Sequence, residues 1–366
     1  MSPAAYLFAA LQLIGGLALL YCGGERLVFG AARLAVVLGI PPLVVGLTVV
    51  ALGTSTPELA VTVQAVISST ADVGLGNVVG SGIFNILVIL GIAAWLQPLE
   101  VSARLVRYEV PLMIVVAAGL WGLSSRKNLG WLEGATFLIA LLFYMSWLVT
   151  QARREHTQFR QSLESEVVPQ APGSWAGPFA AVVFCAIGIT LLWIGSEWTV
   201  SGAVRLARLA GVPELVLGLT LVAAGTSLPE LATSLAAAIK RNADICVGNV
   251  VGSNILNVVA VLAPACLLAP GGLAVNEQLL RLDFPTLLGA SVLCFPVFWS
   301  GGRIDRVEGG LFIVVYAGYI LALAAEATRS ANFLLWTNLF VLGFVPASIA
   351  AALLWALTQQ FYRRSK

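Results

Sequence analysis

The sequence predicts an all-α integral membrane protein: two five-helix repeats, inverted relative to each other, followed by an eleventh helix. Three observations carry this expectation. First, the chain of 366 residues is 59% hydrophobic and only 10% charged, with a mean hydropathy of +0.94. No soluble domain of that size could keep so much apolar surface from water. Second, Gly46–Glu58 recurs as Gly218–Glu230, and the match runs on without a gap to Asn85 and Asn257, with 24 identities in 40 positions. Third, each repeat contains an odd number of apolar segments, so the second must enter the membrane from the opposite side.

The segments fall in order. Apolar runs at about 4–22, 41–67, 74–96, 109–123 and 131–150 form the first half, residues 1–150. The run at the N-terminus lacks a basic leader and a cleavage signature, and reads as a retained helix. A polar stretch, 151–175, is the linker; it carries the lone His156, which reads as inert. Runs at about 177–196, 213–239, 246–269, 282–300 and 307–325 form the second half, 176–327, and 328–366 holds a further helix and a basic tail. The offset of 172 also pairs Gly23 with Gly195, Glu25 with Glu197, Arg33 with Arg205 and Pro41 with Pro213, so the whole half is duplicated. Glu25 and Glu197 are expected just beyond the first helix of each half.

Charge distribution sets the expected orientation. With the N-terminus outside, fourteen of the twenty Lys and Arg residues lie in inner loops, among them Arg26, Arg33, Arg104, Arg107, Arg303 and Arg306. The positive-inside rule then puts the linker and C-terminus in the cytoplasm, with Trp95, Trp121, Trp131, Trp147 and Trp175 near the interfaces. A net charge of +2 argues against nucleic acid as a partner. Five scattered cysteines without a CxxC pair read as small buried hydrophobes, and no His/Cys metal cluster is available.

The repeat concentrates its chemistry on one residue. Glu58 is the only charge between Pro41 and Ile67, and Glu230 the only one between Leu215 and Ile239. An ionised carboxylate at mid-bilayer costs at least ~2.5–3.5 kcal/mol, so two of them imply a neutralising cation. Pro57 and Pro229 lack an N–H and deprive the carbonyls of Gly53 and Gly225 of their helical partner. The helix is therefore expected to break there and free carbonyl oxygens beside each glutamate. Thr54, Ser55, Thr226 and Ser227 add hydroxyl and backbone oxygen. Ser81 and Asn85 share a face of the next helix, as do Ser253 and Asn257. Gly76, Gly80, Gly248 and Gly252 stand at the Gly-xxx-Gly spacing of close helix contacts. Asp72 and Asp244 read as cap or loop residues. An oxygen-only donor set with two carboxylates suits Ca²⁺ or Na⁺, with no further cofactor.

With these residues in view, the chain resembles the cation/Ca²⁺ antiporter superfamily, the sodium/calcium exchangers. Gly53-Thr-Ser-Thr-Pro-Glu58 with Gly76-Asn-Val-Val-Gly-Ser81, and Gly225-Thr-Ser-Leu-Pro-Glu230 with Gly248-Asn-Val-Val-Gly-Ser253, carry the resemblance. It implies Glu58 and Glu230 as shared Ca²⁺/Na⁺ carboxylates and the Thr54 and Thr226 carbonyls as Ca²⁺ ligands. Ala51, Ser55 and Ser81, with Ala223, Ser227 and Ser253, would serve Na⁺. It also implies that the first and sixth helices slide as a pair. Gly16, Gly23 and Gly30, with Gly188, Gly195 and Gly202, are read as the smooth sliding face. Asn257 replaces the aspartate of many members, and the eleventh helix, expected to be peripheral and open to oligomer contact, is an addition.

The function implied is secondary active Na⁺/Ca²⁺ antiport in the multi-pass inner membrane of a prokaryote, with Ca²⁺, Na⁺ and the lipid bilayer as partners. A proton/Ca²⁺ exchanger of the same fold and a cation channel are the competing readings. No Ser/Lys dyad, Asp pair or hydrolase motif supports an enzyme.

Overall fold

In the computed structural model, the described residues are 3–68, 71–165, 178–209, 225–328 and 332–364. They form helices α1 Pro3–Leu38, α2 Pro42–Thr54, α3 Thr56–Ile67, α4 Val73–Leu96, α5 Leu105–Ser124 and α6 Trp131–Ser165. These are followed by α7 Pro178–Leu209, α8 Leu228–Ile239, α9 Ala243–Leu268, α10 Leu279–Trp299, α11 Arg306–Ala327 and α12 Phe333–Gln359. Among the described residues, nine helices are long and apolar enough to cross a membrane, and α2 with α3 makes a tenth, bent span. The chain is thus an all-helical multi-pass membrane protein.

Two expectations about element ends are corrected. The first apolar run does not end near residue 22: α1 spans 36 residues, about 54 Å at the helical rise, against a hydrocarbon core of about 30 Å. Its counterpart α7 spans 32 residues. Glu25, Arg26 and Arg33, and Glu197, Arg205 and Arg208, therefore sit on helices and not in loops. Glu25 pairs with Lys240 at 3.1 Å. The linker begins as a continuation of α6 to Ser165; the rest of it, with Trp175, lies outside the described residues. Apolar surface propagates the helix to each membrane face, and polar residues simply continue it into water.

The chain forms two compact units, 1–57 with 140–252 and 58–139 with 253–366, which cut across the sequence halves. In the first unit, α1 and α7 run antiparallel along their seven-residue glycine stripes. A Cβ on Gly23 would lie 2.8 Å from the Leu192 nitrogen; on Gly188, 2.6 Å from that of Leu27; on Gly202, 2.6 Å from that of Leu13. The stripes thus face each other and fasten the pair. The expected smooth face toward other helices is not where they lie. Gly248 and Gly252 likewise admit α2: a Cβ on Gly252 would approach Leu47 to 2.9 Å. For Gly76 and Gly80 no described atom lies within 4 Å of an added Cβ.

In the second unit, α5 and α10 also run antiparallel, clasped at both ends. Strand β1, Leu99–Glu100, pairs with β4, Arg303–Ile304, and β2, Asn128–Leu129, pairs with β3, Leu273–Ala274. Each short ladder joins the start of one helix of this pair to the end of the other. Buried carboxylates finish the entrances. Glu133 accepts from the Gly130 amide at 2.8 Å, and Glu308 from the Asp305 amide at 2.9 Å within a capping box. The last helix is keyed in more firmly than a peripheral addition: Val345 fills the notch at Gly289, and Phe340 that at Gly318. Its other face is exposed, with Leu342 73% and Leu354 64% accessible.

Candidate functional site

The expected helix break is present in the first repeat, and the turn that begins the described part of the second repeat has the same backbone; the segment before Gly225 lies outside the described residues. Ser55 leaves the helical well at φ −77°, ψ 4°, and the chain bends by 41° between α2 and α3. Ser227 repeats this at φ −87°, ψ 6°, directly before α8. Pro57 and Pro229 fall in the first turns of α3 and α8, where a missing N–H costs nothing. Glu58 and Glu230 follow them. Each carboxylate therefore lies in a first helical turn, where the exposed amide dipoles favour negative charge.

In the first unit, Glu230 is fully buried and takes a hydrogen bond from the Ser55 hydroxyl to Oε1 at 3.3 Å. Its Oε2 is buried without a hydrogen-bond partner among the described residues. Behind it, Asn249 joins three segments. Its Oδ1 accepts from the Thr54 hydroxyl at 3.1 Å, and its Nδ2 donates to Ser234 Oγ at 2.9 Å and to the Glu230 carbonyl at 3.5 Å. The carbonyl of Gly225 is not free as expected, since the Ser196 hydroxyl of α7 donates to it at 2.6 Å. Ala51 is buried beside Gly252, Ser227 is buried and Thr226 half-buried. Ala223 lies outside the described residues.

In the second unit, Glu58 is also fully buried and accepts from Ser81 Oγ at 3.4 Å. Asn77 donates to the Thr62 hydroxyl at 3.5 Å, the counterpart of Asn249 with Ser234. Asn85 and Asn257 each open a wide π turn, Asn85–Leu90 and Asn257–Val261, the kind of irregularity that gathers at functional positions. Both are buried, yet neither amide nitrogen nor oxygen finds a partner among the described residues, and the same holds for Ser253 Oγ. A buried polar group left unpaired costs about 1–3 kcal/mol. In these three residues the oxygens could be met by a cation, whereas the amide nitrogens call for an acceptor such as water. No grouping of three His, Cys, Asp or Glu that could hold a metal ion exists among the described residues.

Sequence reasoning missed Asn77, Asn249, Thr62, Ser234 and Ser196. The two asparagines were in the repeated motif but had no assigned role. Their signal was the 172-residue correspondence, which pairs Thr62 with Ser234 as well. Ser196 had none, because its counterpart is Gly24.

An all-helical chain with up to ten candidate spans among the described residues and a buried acid in each copy of its duplicated motif is a polytopic integral membrane protein. The chain belongs to the family described as Sodium/calcium exchanger protein, whose signature matches residues 8–150 and 180–325. It is 35% identical over 318 residues to Inner membrane protein YrbG of Escherichia coli K12, covering 87% of this chain and 96% of that one. It is 30% identical over 343 residues to Sodium/calcium exchanger MaX1 of Methanosarcina acetivorans, covering 86% and 97%. Its fold superposes on the sodium-calcium exchanger NCX_Mj with a TM-score of 0.73 at 29% identity, covering 87% of this chain and 99% of that one.

Proposed function

We propose that the protein is a secondary active Na⁺/Ca²⁺ antiporter in which Glu58 and Glu230 carry the transported ions. The observation that supports this best is that both repeat-related glutamates are fully buried and each accepts from a serine hydroxyl, Ser81 for Glu58 and Ser55 for Glu230. Two carboxylates supply a charge of −2, which one Ca²⁺ or two Na⁺ would neutralise. Occupation by one ion then excludes the other, and an unneutralised site resists movement through the apolar interior, which couples the fluxes. The Thr54 and Thr226 carbonyls would complete Ca²⁺ coordination. Ala51, Ser55, Ser81, Ala223, Ser227 and Ser253, with the amides Asn85 and Asn257, would serve Na⁺ and its associated water.

The test is counter-flow in liposomes. Vesicles loaded with Na⁺ and diluted into Na⁺-free buffer should accumulate ⁴⁵Ca²⁺, and Glu230→Gln or Glu58→Gln should abolish uptake. Uptake that ignores internal Na⁺ but follows a pH gradient would replace Na⁺ with H⁺ as the coupling ion. Normal exchange in Glu58→Gln would remove the assignment altogether.

A further inference from the structure

The duplication places Arg107 and Arg281 at matching points, 174 residues apart, near the starts of α5 and α10. Leu105 matches Leu279, Glu109 matches Asp283 and Pro111 matches Pro285. Their surroundings differ at several positions, and one of these differences bears directly on the charge of the arginine. In the second copy, Glu277 stands one turn before Arg281 and bonds its Nε at 3.4 Å, while also taking a hydrogen bond from Lys127. The Lys127 ammonium, then the Arg281 guanidinium, hold the Glu277 carboxyl below the usual carboxylate range. In the first copy the matching position is Ala103. Arg107 is exposed and its guanidinium lies 5.9 Å from the Tyr108 ring centroid.

Ala103 and Arg107 line a cleft of about 530 Å³ that also includes Val101, Val106, Phe295 and Trp299. The cleft opens between the start of α5 and the end of α10, which the β1–β4 ladder holds together, so its mouth lies at one membrane–water boundary. The lining is layered by depth. Arg107 and Trp299 stand at the helix ends, and Phe295, one turn deeper, stacks on Trp299 at 6.5 Å between ring centroids. Among the described residues, no carboxylate lines the cleft.

We propose that this cleft binds one acidic phospholipid, its phosphate on Arg107 and an acyl chain along Val106, Phe295 and Trp299. Basic groups between membrane helices at headgroup depth recognise such lipids. Without a described carboxylate in the lining, the ammonium of a zwitterionic headgroup has no anionic partner there. This inference does not depend on which ions the protein carries.

The full chain, purified in mild detergent, would be titrated with phosphatidylglycerol, phosphatidylcholine or inorganic phosphate and its adducts counted by native mass spectrometry. One phosphatidylglycerol should be retained in preference to phosphatidylcholine, and free phosphate should not displace it. Arg107→Gln should lower occupancy about fivefold, the worth of one basic residue at headgroup level. Ala103→Glu, which imports the neutralising acid of the second copy at an exposed position, should do the same while leaving Arg107 in place. Unchanged retention in both variants, or equal retention of phosphatidylcholine, would overturn the proposal. Displacement by phosphate would make the cleft an anion site, not a lipid site.

Discussion

Asn249 shows how a neutral side chain can matter as much as a charge. It is fully buried and spends both ends of its amide on side chains from other segments, Thr54 and Ser234, with a longer contact to the Glu230 backbone. An amide with both polar ends engaged fixes where the Thr54 hydroxyl, and with it the broken turn, stands relative to α8. Asn249→Ala is expected to raise the Ca²⁺ concentration for half-maximal exchange roughly tenfold, because a buried hydrogen-bonded group lost in this way costs about 1–3 kcal/mol. Ser234→Ala should have a smaller effect, and the double variant should be no worse than Asn249→Ala. Residues sharing one network couple by about 0.5–3 kcal/mol. Strictly additive losses, read from ⁴⁵Ca²⁺ uptake against Ca²⁺ concentration, would show that the two side chains act separately.

At the scale of elements, the sequence was legible wherever a covalent peculiarity dictated the outcome. Pro57 cannot donate to the preceding turn, and the helix breaks beside Glu58 as that requires; Ser227, before Pro229, has the same non-helical backbone as Ser55. What could not be read was the use of features that depend on a partner. The glycine stripes on α1 and α7 were visible as a period of seven, but a stripe does not say what approaches it; in the structure each is filled by the other's backbone. Helix ends were misplaced for a related reason, since hydropathy marks the membrane boundary and helices cross it. The stripes give a direct expectation. Gly188→Ala places a methyl 2.6 Å from the Leu27 nitrogen, which cannot rotate away, and should destabilise by about 1–3 kcal/mol. Gly119→Ala, on the exposed side of α5 with no atom within 4 Å, should be neutral or gain up to about 1 kcal/mol of helix propensity. Thermal unfolding in detergent would compare them, and equal losses would mean that the stripe is not a tight contact.

For the whole molecule, the ion-binding role proposed for the buried glutamates would make stability and ion binding one quantity. Glu58 and Glu230 are each fully buried, and Asn85, Asn257 and Ser253 lack protein partners for buried polar atoms among the described residues. Holding such groups away from water without a cation is costly; the folded chain is therefore expected to gain stability whenever its substrate is present. Binding to the native state alone stabilises by about 2.7 kcal/mol at a hundredfold excess over Kd. Unfolding midpoints in detergent should thus rise by several degrees on adding Ca²⁺ and fall back on chelation, with Na⁺ acting the same way at higher concentration. Mg²⁺, which sheds its water reluctantly, should have the weakest effect. Replacing both acids, Glu58→Gln with Glu230→Gln, separates the terms. The variant should lose the Ca²⁺ response yet be at least as stable as the ion-free native protein, because a neutral amide is less costly to bury than a carboxylate. A double variant that still gains stability from Ca²⁺ would place the binding carboxylates elsewhere in the chain. One that collapses without ions would show the glutamates to be structural groups whose hydrogen bonds hold the broken helices.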